Sequence, residues 1–390
     1  MDDELNLLSD QVARFIASDL LPDVSAWESQ RQITSESWKK VAAAGLFCAS
    51  IPEEYGGGGG TLAHEAVILQ ELSRAGLGGN LGVAHSIHSG IVAHYILAYG
   101  TEEQRGRWLP GMAQGDVIGA IAMTEPGAGS DLKGIRTSLS PCEGGWRLNG
   151  QKTFITNGQT ANLILVAARL SGSDGALSLA VVETETADGF RRGRNLDKLG
   201  MHAQDTSELF FDDVFIPADH LLGETPGQGF YQLMQQLAWE RMTIAQSALI
   251  NMERGVELAT DYALQRDAFG KLLFDFQSVQ FTLANAKTQA TVGRAFFDQL
   301  MVQLLNDDLD DALAAMAKLW LTETAFTVID ACQQLFGGYG YMMEYPITNL
   351  FADSRVMRVY GGTSEIMKVI IARSIRHGSN APTIAASTRP

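Results

Sequence analysis

The sequence predicts an α+β protein: a helical region, a strand-rich middle, and a second helical region. Three observations predict it. Over residues 1–115 apolar side chains recur at helical spacing. Over 116–226 they come in short runs of Val, Ile, Leu and Phe separated by Gly, Ser, Asn and Asp. Over 227–376 long helical periods return, with no proline between Pro226 and Pro346. Residues 377–390 are small and polar, and a flexible tail is expected there.

In chain order, Leu7, Val12, Phe15, Ile16 and Leu20 mark a first helix, stopped before Pro22. Ser35 to Leu46 reads as a second, with Trp38, Val41 and Leu46 on its apolar face. The loop Pro52–Thr61 holds Gly56–Gly60, a strong helix breaker. Helical patterns resume over Leu62 to Arg74 and His85 to Tyr99. Strands are predicted at Val117–Met123, Thr153–Thr156, Leu163–Ala168, Leu177–Glu183 and Leu209–Ile216. Long helices are predicted over Phe230 to Arg266, Gln277 to Leu305 and Asp311 to Phe336. In the last, Met316, Trp320, Phe326, Ile329, Cys332 and Leu335 mark the expected buried stripe. Thr363 or Ser364 can cap a final helix running to about Ile375.

The charge balance narrows the function classes. The 390 residues carry 29 Lys+Arg against 45 Asp+Glu, a formal net charge of −16. That disfavours nucleic acid, whose phosphates are held by clustered cations. It equally disfavours a basic membrane-surface protein. No continuous apolar run approaches the roughly 18 residues of a membrane span. Cys48, Cys142 and Cys332 lie far apart and form no CxxC pair, which suits a reducing compartment. The Met1-Asp2-Asp3-Glu4 start lacks the basic region of a signal or transit peptide, so a cytoplasmic location is expected.

Several stretches are candidates for chemistry. Glu125-Pro126-Gly127-Ala128-Gly129-Ser130-Asp131 follows a predicted strand, and successive N–H groups in such a turn can nest an anion such as a pyrophosphate. It lacks the third glycine of a dinucleotide fingerprint and the Gly-Lys-Ser/Thr of a P-loop, so an ordinary turn is the alternative. Glu240 shares a helical stripe with Leu233, Leu237 and Ile244. A carboxylate there is either ion-paired with another helix or held for chemistry. His85, His88 and His94 have no acid or cysteine near them in sequence, and Asp307–Asp311 reads as a helix–helix connection, so no metal is expected. Gly337-Gly338-Tyr339-Gly340 and Tyr360-Gly361-Gly362-Thr363 each border a helix, where glycine serves a cap or a close ligand approach. No Ser/His/Asp or Cys/His order suggests a nucleophilic triad.

Five motifs then carry a resemblance. They are Ala122-Met123-Thr124-Glu125-Pro126-Gly127-Ala128-Gly129-Ser130-Asp131, Asn149-Gly150-Gln151-Lys152-Thr153-Phe154-Ile155-Thr156-Asn157-Gly158, Arg266-Asp267-Ala268-Phe269-Gly270-Lys271, Gln334-Leu335-Phe336-Gly337-Gly338 and Tyr360-Gly361-Gly362-Thr363-Ser364-Glu365. In this order they resemble the acyl-CoA dehydrogenase family over nearly the whole chain. The resemblance implies that family's fold: an N-terminal helical domain (1–115), a middle β-barrel (116–226) and a C-terminal four-helix bundle (227–376).

It also implies FAD, bound between the β-domain and the C-terminal helices and completed by a neighbouring subunit of a homotetramer. By family position, Ile121, Ala122, Met123 and Thr124 line the flavin, with Thr124 hydrogen-bonding its ring. Gly129 and Ser130 lie near the pyrophosphate, Ser130 also near the CoA portion of the substrate. Phe154, Ile155 and Thr156 cover the flavin. Arg266, Phe269 and Gln277, with Gln334, Leu335, Phe336, Gly337 and Gly338, match positions that hold FAD across the subunit interface. Thr363, Ser364 and Glu365 match a further contact.

One departure is informative. Many members carry the catalytic base as the Glu of Tyr-Glu-Gly-Thr; the matching residue here is Gly361, which cannot take a proton. A second group, including long-chain and isovaleryl enzymes, places the Glu in a Glu-Arg pair on an earlier helix. Glu240-Arg241 matches that pair, so the resemblance nominates Glu240 as the base that removes the α-proton of an acyl-CoA thioester. Ser86–Val92 and Ala203–Phe211 are most similar to the long-chain branch. Tyr231, Ala238, Trp239 and Arg241, with Gly361 and Gly362, match substrate-lining positions, and bulky Trp239 is expected to reshape the pocket. A medium- to long-chain or branched acyl-CoA is implied, with electron-transferring flavoprotein as the acceptor. A carrier-protein thioester, or an oxidase or monooxygenase on the same fold, is the alternative.

Overall fold

The computed structural model describes residues 3–173 and 175–377. The expected flexible tail falls almost wholly outside the described residues. Packing divides the chain into two units, Met1–Gln236 and Leu237–Pro390.

The first unit opens with helices α1 (Asp3–Phe15), α2 (Val24–Gln30), α3 (Ser35–Ala43) and α4 (Leu62–Arg74). Their starts follow the capping residues. Thr34 accepts from Ser37 N at 3.2 Å, and Thr61 forms a capping box with His64. Trp27 and Trp38 are fully buried, and Trp27 Nε1 donates to Ser37 Oγ at 2.8 Å. The next helix, α5, spans Gly78–Tyr99 and so starts earlier than the pattern from His85 suggests. Its glycines serve close approach: a Cβ on Gly82 would stand 3.3 Å from Leu77 O and 3.5 Å from Leu69 Cδ1. Two π-helical turns, Gly78–Gly82 and Ser86–Val92, lie within it. Helix α6 (Glu102–Ala113) follows, with a Thr101–Gln104 capping box.

Seven strands form one curled sheet: β1 (Gly119–Ala122), β2 (Ser138–Cys142), β3 (Gly145–Thr156), β4 (Leu163–Leu170), β5 (Leu177–Glu183), β6 (Phe190–Asn195) and β7 (Thr206–Pro217). The order is β1-β4-β2-β3-β7-β6, with β5 paired to β4. Strands β1, β4 and β5 are mostly apolar because they are buried on both faces over most of their length. Two strands are not visible in the apolar pattern. β2 carries Ser and Pro, and β6 reads Phe-Arg-Arg-Gly-Arg-Asn. The β6 arginines are accommodated locally: Arg191 stacks over Phe210 at 4.2 Å, and Arg192 donates to the carbonyls of Gly158 and Ala161.

Helix α7 spans Gly229–Gln265. The second unit continues with the hairpin β8 (Asp267–Ala268) and β9 (Lys271–Leu272), then α8 (Gln277–Leu305), α9 (Asp311–Gln334), α10 (Pro346–Ser354) and α11 (Ser364–His377). Gly293 on α8 marks where three helices converge: a Cβ there would meet Leu321, Met252 and Leu249 at 3.0–3.2 Å. The buried face of α9 keeps Ile329 and Cys332 of the expected stripe but departs from the rest of it. It runs through Ala314, Lys318, Leu321, Ala325 and Ile329, while Met316, Trp320 and Phe326 are only half-buried beside it. Small residues take the centre because neighbouring helices approach there. Both α5 and α9 are long and apolar enough to cross a membrane by length and composition, although no continuous run is; most of each is buried inside the protein.

Candidate active site

In the first unit, the Glu125–Asp131 segment is a turn closed in both directions. Glu125 N donates to Ala128 O at 2.9 Å and Ala128 N to Glu125 O at 3.1 Å. Ile121 and Ala122 are buried in β1, Met123 and Thr124 are half-exposed at its end, and Gly129 and Ser130 are open to solvent. A Cβ on Gly127 or Gly129 would meet nothing within 4 Å.

This turn rests on a buried ion pair that the sequence does not announce. Lys152 Nζ donates to Glu125 Oε1 at 2.8 Å, to Met123 O at 2.9 Å and to Ala167 O at 2.7 Å. Glu125 also accepts from Arg136 N at 2.7 Å and Thr137 N at 2.9 Å. Burial alone would push the Glu125 carboxyl up, but these donors hold it below the usual range. Burial brings Lys152 down to about 8 against the pull of Glu125. Thr124 lies between two residues that Lys152 grips, and Thr153 N donates to its carbonyl at 2.9 Å.

Phe154 and Thr156 follow on the same strand. Lys152 pairs with Leu209 and Ile155 with Ser207, so β3 carries an extra residue, and the bulge puts Phe154 at φ +60°. Its ring is 66% exposed, while Ile155 is buried and Thr156 half-buried. Tyr231 is exposed, and its hydroxyl accepts from Gln235 Nε2.

His88 ties helix to sheet. Its Nδ1 accepts from Gly119 N and its Nε2 donates to Met112 O, both at 3.1 Å. Among the described residues no cluster of His, Cys, Asp and Glu has metal-site geometry.

In the second unit, Glu240 is 6% exposed on α7, with Ile244 one turn on. Ala238 is half-buried and Trp239 is buried. Arg241 is buried as well; its Nη1 lies 3.5 Å from Asp311 Oδ1, and its Nε finds no partner among the described residues. Burial lowers its pKa, opposed by the charges of Asp311 and Glu240. Gly361 and Gly362 have φ of +61° and +90°. A Cβ on Gly361 would stand 2.3 Å from Ile244 Cδ1 and 3.7 Å from Lys318 Cε. Thus residues 361, 244 and 318, from three elements, meet one turn from Glu240.

The remaining predicted positions cluster at exposed turns. Phe269 and Gly270 form the two-residue loop of the β8–β9 hairpin, at φ +53° and +78°, and Phe269 is 97% exposed. Arg266 sits 5.7 Å over the Tyr339 ring. Gln277, Gln334, Gly337 and Gly338 are exposed, and Leu335 is half-buried. Phe336 is buried instead, stacked on Tyr262 at 4.3 Å. Thr363 caps α11 by accepting from Ile366 N, Ser364 Oγ donates to Glu323, and Glu365 is exposed.

Comparison with known proteins agrees with this architecture. Residues 2–116, 120–214 and 227–376 match the N-terminal, middle and C-terminal domains of acyl-CoA dehydrogenase. The chain is 44% identical over 376 residues to the mitochondrial long-chain specific acyl-CoA dehydrogenase of Mus musculus, covering 95% of this chain and 86% of that one. An acyl-CoA dehydrogenase structure from Geobacillus kaustophilus superposes with a TM-score of 0.93 at 42% identity, covering 96% of this chain and 98% of that one. A glutaryl-CoA dehydrogenase from Mycobacterium smegmatis in complex with FADH2 gives 0.89 at 27% identity, covering 97% and 95%. With all three parts matched in order, the chain belongs to the acyl-CoA dehydrogenase family.

Proposed function

We propose that this protein binds FAD and converts a medium- to long-chain or branched acyl-CoA to the trans-2-enoyl-CoA, with Glu240 as the base. The observation that carries the reading is the pairing of a buried Glu240 with a side-chain-less Gly361 whose neighbourhood Ile244 fills.

The exposed surfaces fit the cofactor. Phe154 and Phe269 both adopt left-handed backbone at a cost of about 1 kcal/mol, yet present their rings to solvent. Rings held out at such a cost suit a surface that an aromatic cofactor or a second copy covers. The open Gly127 and Gly129 turn suits a pyrophosphate. Thr124 and Thr156 would hydrogen-bond the flavin, with Arg266, Phe269 and Gln277 reaching it from a neighbouring subunit of a tetramer. Bound FAD supplies the acceptor for the hydride that leaves the β-carbon.

The rest of the chemistry is the chain's. Glu240 takes the proton from the carbon α to the thioester carbonyl. That proton is weakly acidic, so the carbonyl oxygen needs donors as charge develops, and the Gly361 N–H is one. Burial of Glu240 and Trp239 keeps bulk water from the base. Electron-transferring flavoprotein is the proposed acceptor of the electrons. The test is anaerobic mixing with acyl-CoA thioesters of graded length and branching, read at the flavin absorbance. Bleaching by at least one thioester, abolished in Glu240→Gln, is expected. A protein that no thioester bleaches overturns the reading.

A further inference from the structure

Lys318 has no part in the mechanism above, and its surroundings are unusual for a lysine. It lies on the buried face of α9, 1% exposed, among Ala314, Leu321 and Ala325. None of the salt bridges found among the described residues includes it, and the charge of Arg241, a second buried cation, acts on it. A bare ammonium in such a place is costly unless its protons are well used. Its Nζ donates to the carbonyl of Gly362. Among the described residues, that is the one hydrogen bond reaching either glycine of the Gly361–Gly362 turn.

The turn needs such a restraint. Both glycines adopt left-handed backbone, and without side chains they have more alternative conformations than any other residue pair. Their flanks are fixed. Tyr360 N donates to Val356 O at 3.1 Å on one side, and Thr363 caps α11 on the other. Between those anchors two residues are free to pivot. Lys318 reaches them from beneath, its Cε 3.7 Å from where a Gly361 Cβ would stand, while Ile244 closes the side towards α7.

We infer that Lys318 is a positioning residue for the dehydrogenation: by gripping the Gly362 carbonyl it locks the glycine turn and keeps the Gly361 N–H directed at the substrate's thioester carbonyl. The inference rests on the dehydrogenase reading given above. Lys318 acts through the turn. An amine donates this bond whether or not it is protonated. The restraint matters because a donor displaced by even about 1 Å from a developing charge loses on the order of 10²-fold in rate.

The test uses the FAD-loaded protein and Lys318→Met, which keeps the length and apolar bulk of the side chain and removes the donor. The first readout is 4-dimethylaminocinnamoyl-CoA, a thioester whose absorption moves to longer wavelength as its carbonyl is polarised. Wild type is expected to bind it with a red shift. Lys318→Met is expected to bind it with KD within about threefold but with at least half of the shift lost. The second readout is anaerobic flavin reduction by the best acyl-CoA. Here kcat should fall about 10- to 100-fold with KM little changed. Lys318→Arg, which keeps a buried donor, should recover part of the red shift.

A Lys318→Met protein with the full shift and wild-type kcat overturns the inference. So does a variant whose losses of FAD, thermal stability and rate run in proportion in both Lys318→Met and Lys318→Gln, because Lys318 would then be a packing residue. If wild type itself neither shifts the probe nor is bleached by any thioester, it is the dehydrogenase reading that fails.

Discussion

Ile244 Cδ1 stands 2.3 Å from the point a β-carbon on Gly361 would occupy, so α7 fills the space from which a side chain at 361 would act. One turn earlier on the same helix is Glu240. The proposed base thus stands on the helix whose isoleucine occupies the space beside Gly361.

That placement is testable by moving the base. Glu240→Gln should slow anaerobic flavin reduction about 10²- to 10⁴-fold. Adding Gly361→Glu should restore little, because φ of +61° is strained for any side chain and Ile244 Cδ1 would have to swing aside. A triple variant with Ile244→Ala as well should regain measurable reduction. Recovery in the double variant would show that Ile244 does not keep a base from position 361.

Phe269 offers a way to separate the hairpin from what covers it. Phe269→Asn keeps a residue that tolerates left-handed backbone, so the β8–β9 turn should fold as well or better. The exposed ring is lost. After gel filtration the ratio of flavin to protein absorbance should drop several-fold while the far-ultraviolet circular dichroism stays the same. Unchanged flavin content would remove Phe269 from the cofactor surface.

The Lys152–Glu125 pair should behave as a structural clamp. Lys152→Met strands a buried carboxylate and two carbonyls, those of Met123 and Ala167, and should cost about 3–5 kcal/mol in urea unfolding. Combining it with Glu125→Gln should return part of that loss, since the uncompensated charge goes. Additive losses in the pair would contradict a direct coupling.

Lys318 gives a pH dependence of known sign. Burial, reinforced by the charge of Arg241, holds its amine at about 7, against 10.5 for an exposed lysine. Between those values the unfolded chain binds the extra proton, so this group's contribution to stability rises with pH, by about 1 kcal/mol per unit. The cofactor-free wild type should therefore gain on Lys318→Met between pH 7 and pH 9, read as the gap between their urea midpoints. A gap that stays constant would mean the amine is not held low.

How much of this was legible in the chain differs by feature. Helices with an unbroken period match the sequence within a residue or two, as at Leu62–Arg74, which Thr61 also caps, and at Gln277–Leu305, because these signals are local. β5 is legible as it stands, since a strand buried on both faces is mostly apolar, Ser178 being its one buried polar residue. β6 is not legible because its three arginines are satisfied by the Phe210 ring, by the carbonyls of Gly158 and Ala161 and by the Glu208 carboxylate, all from other segments. The start of α5 was missed because glycines that break a helix in solution here let one pack against α4.

The same division runs through the site. The sequence by itself determined the family, the α+β class and the candidacy of Glu240, because a carboxylate on an apolar stripe and a Gly where relatives carry Glu are both visible in one dimension. Only the tertiary structure decided what surrounds Glu240 and Gly361. Ile244, Lys318 and Gly361 come from α7, α9 and the turn before α11, and the contact among them exists only when those elements pack. Lys318 shows the limit most plainly. It occupies a small-residue helix face as Glu240 occupies an apolar one, yet a lysine there reads as an exposed residue until its carbonyl partner, 44 residues on, is in place. Burying a charge is a property of its surroundings, and the surroundings of Lys318 are assembled by folding.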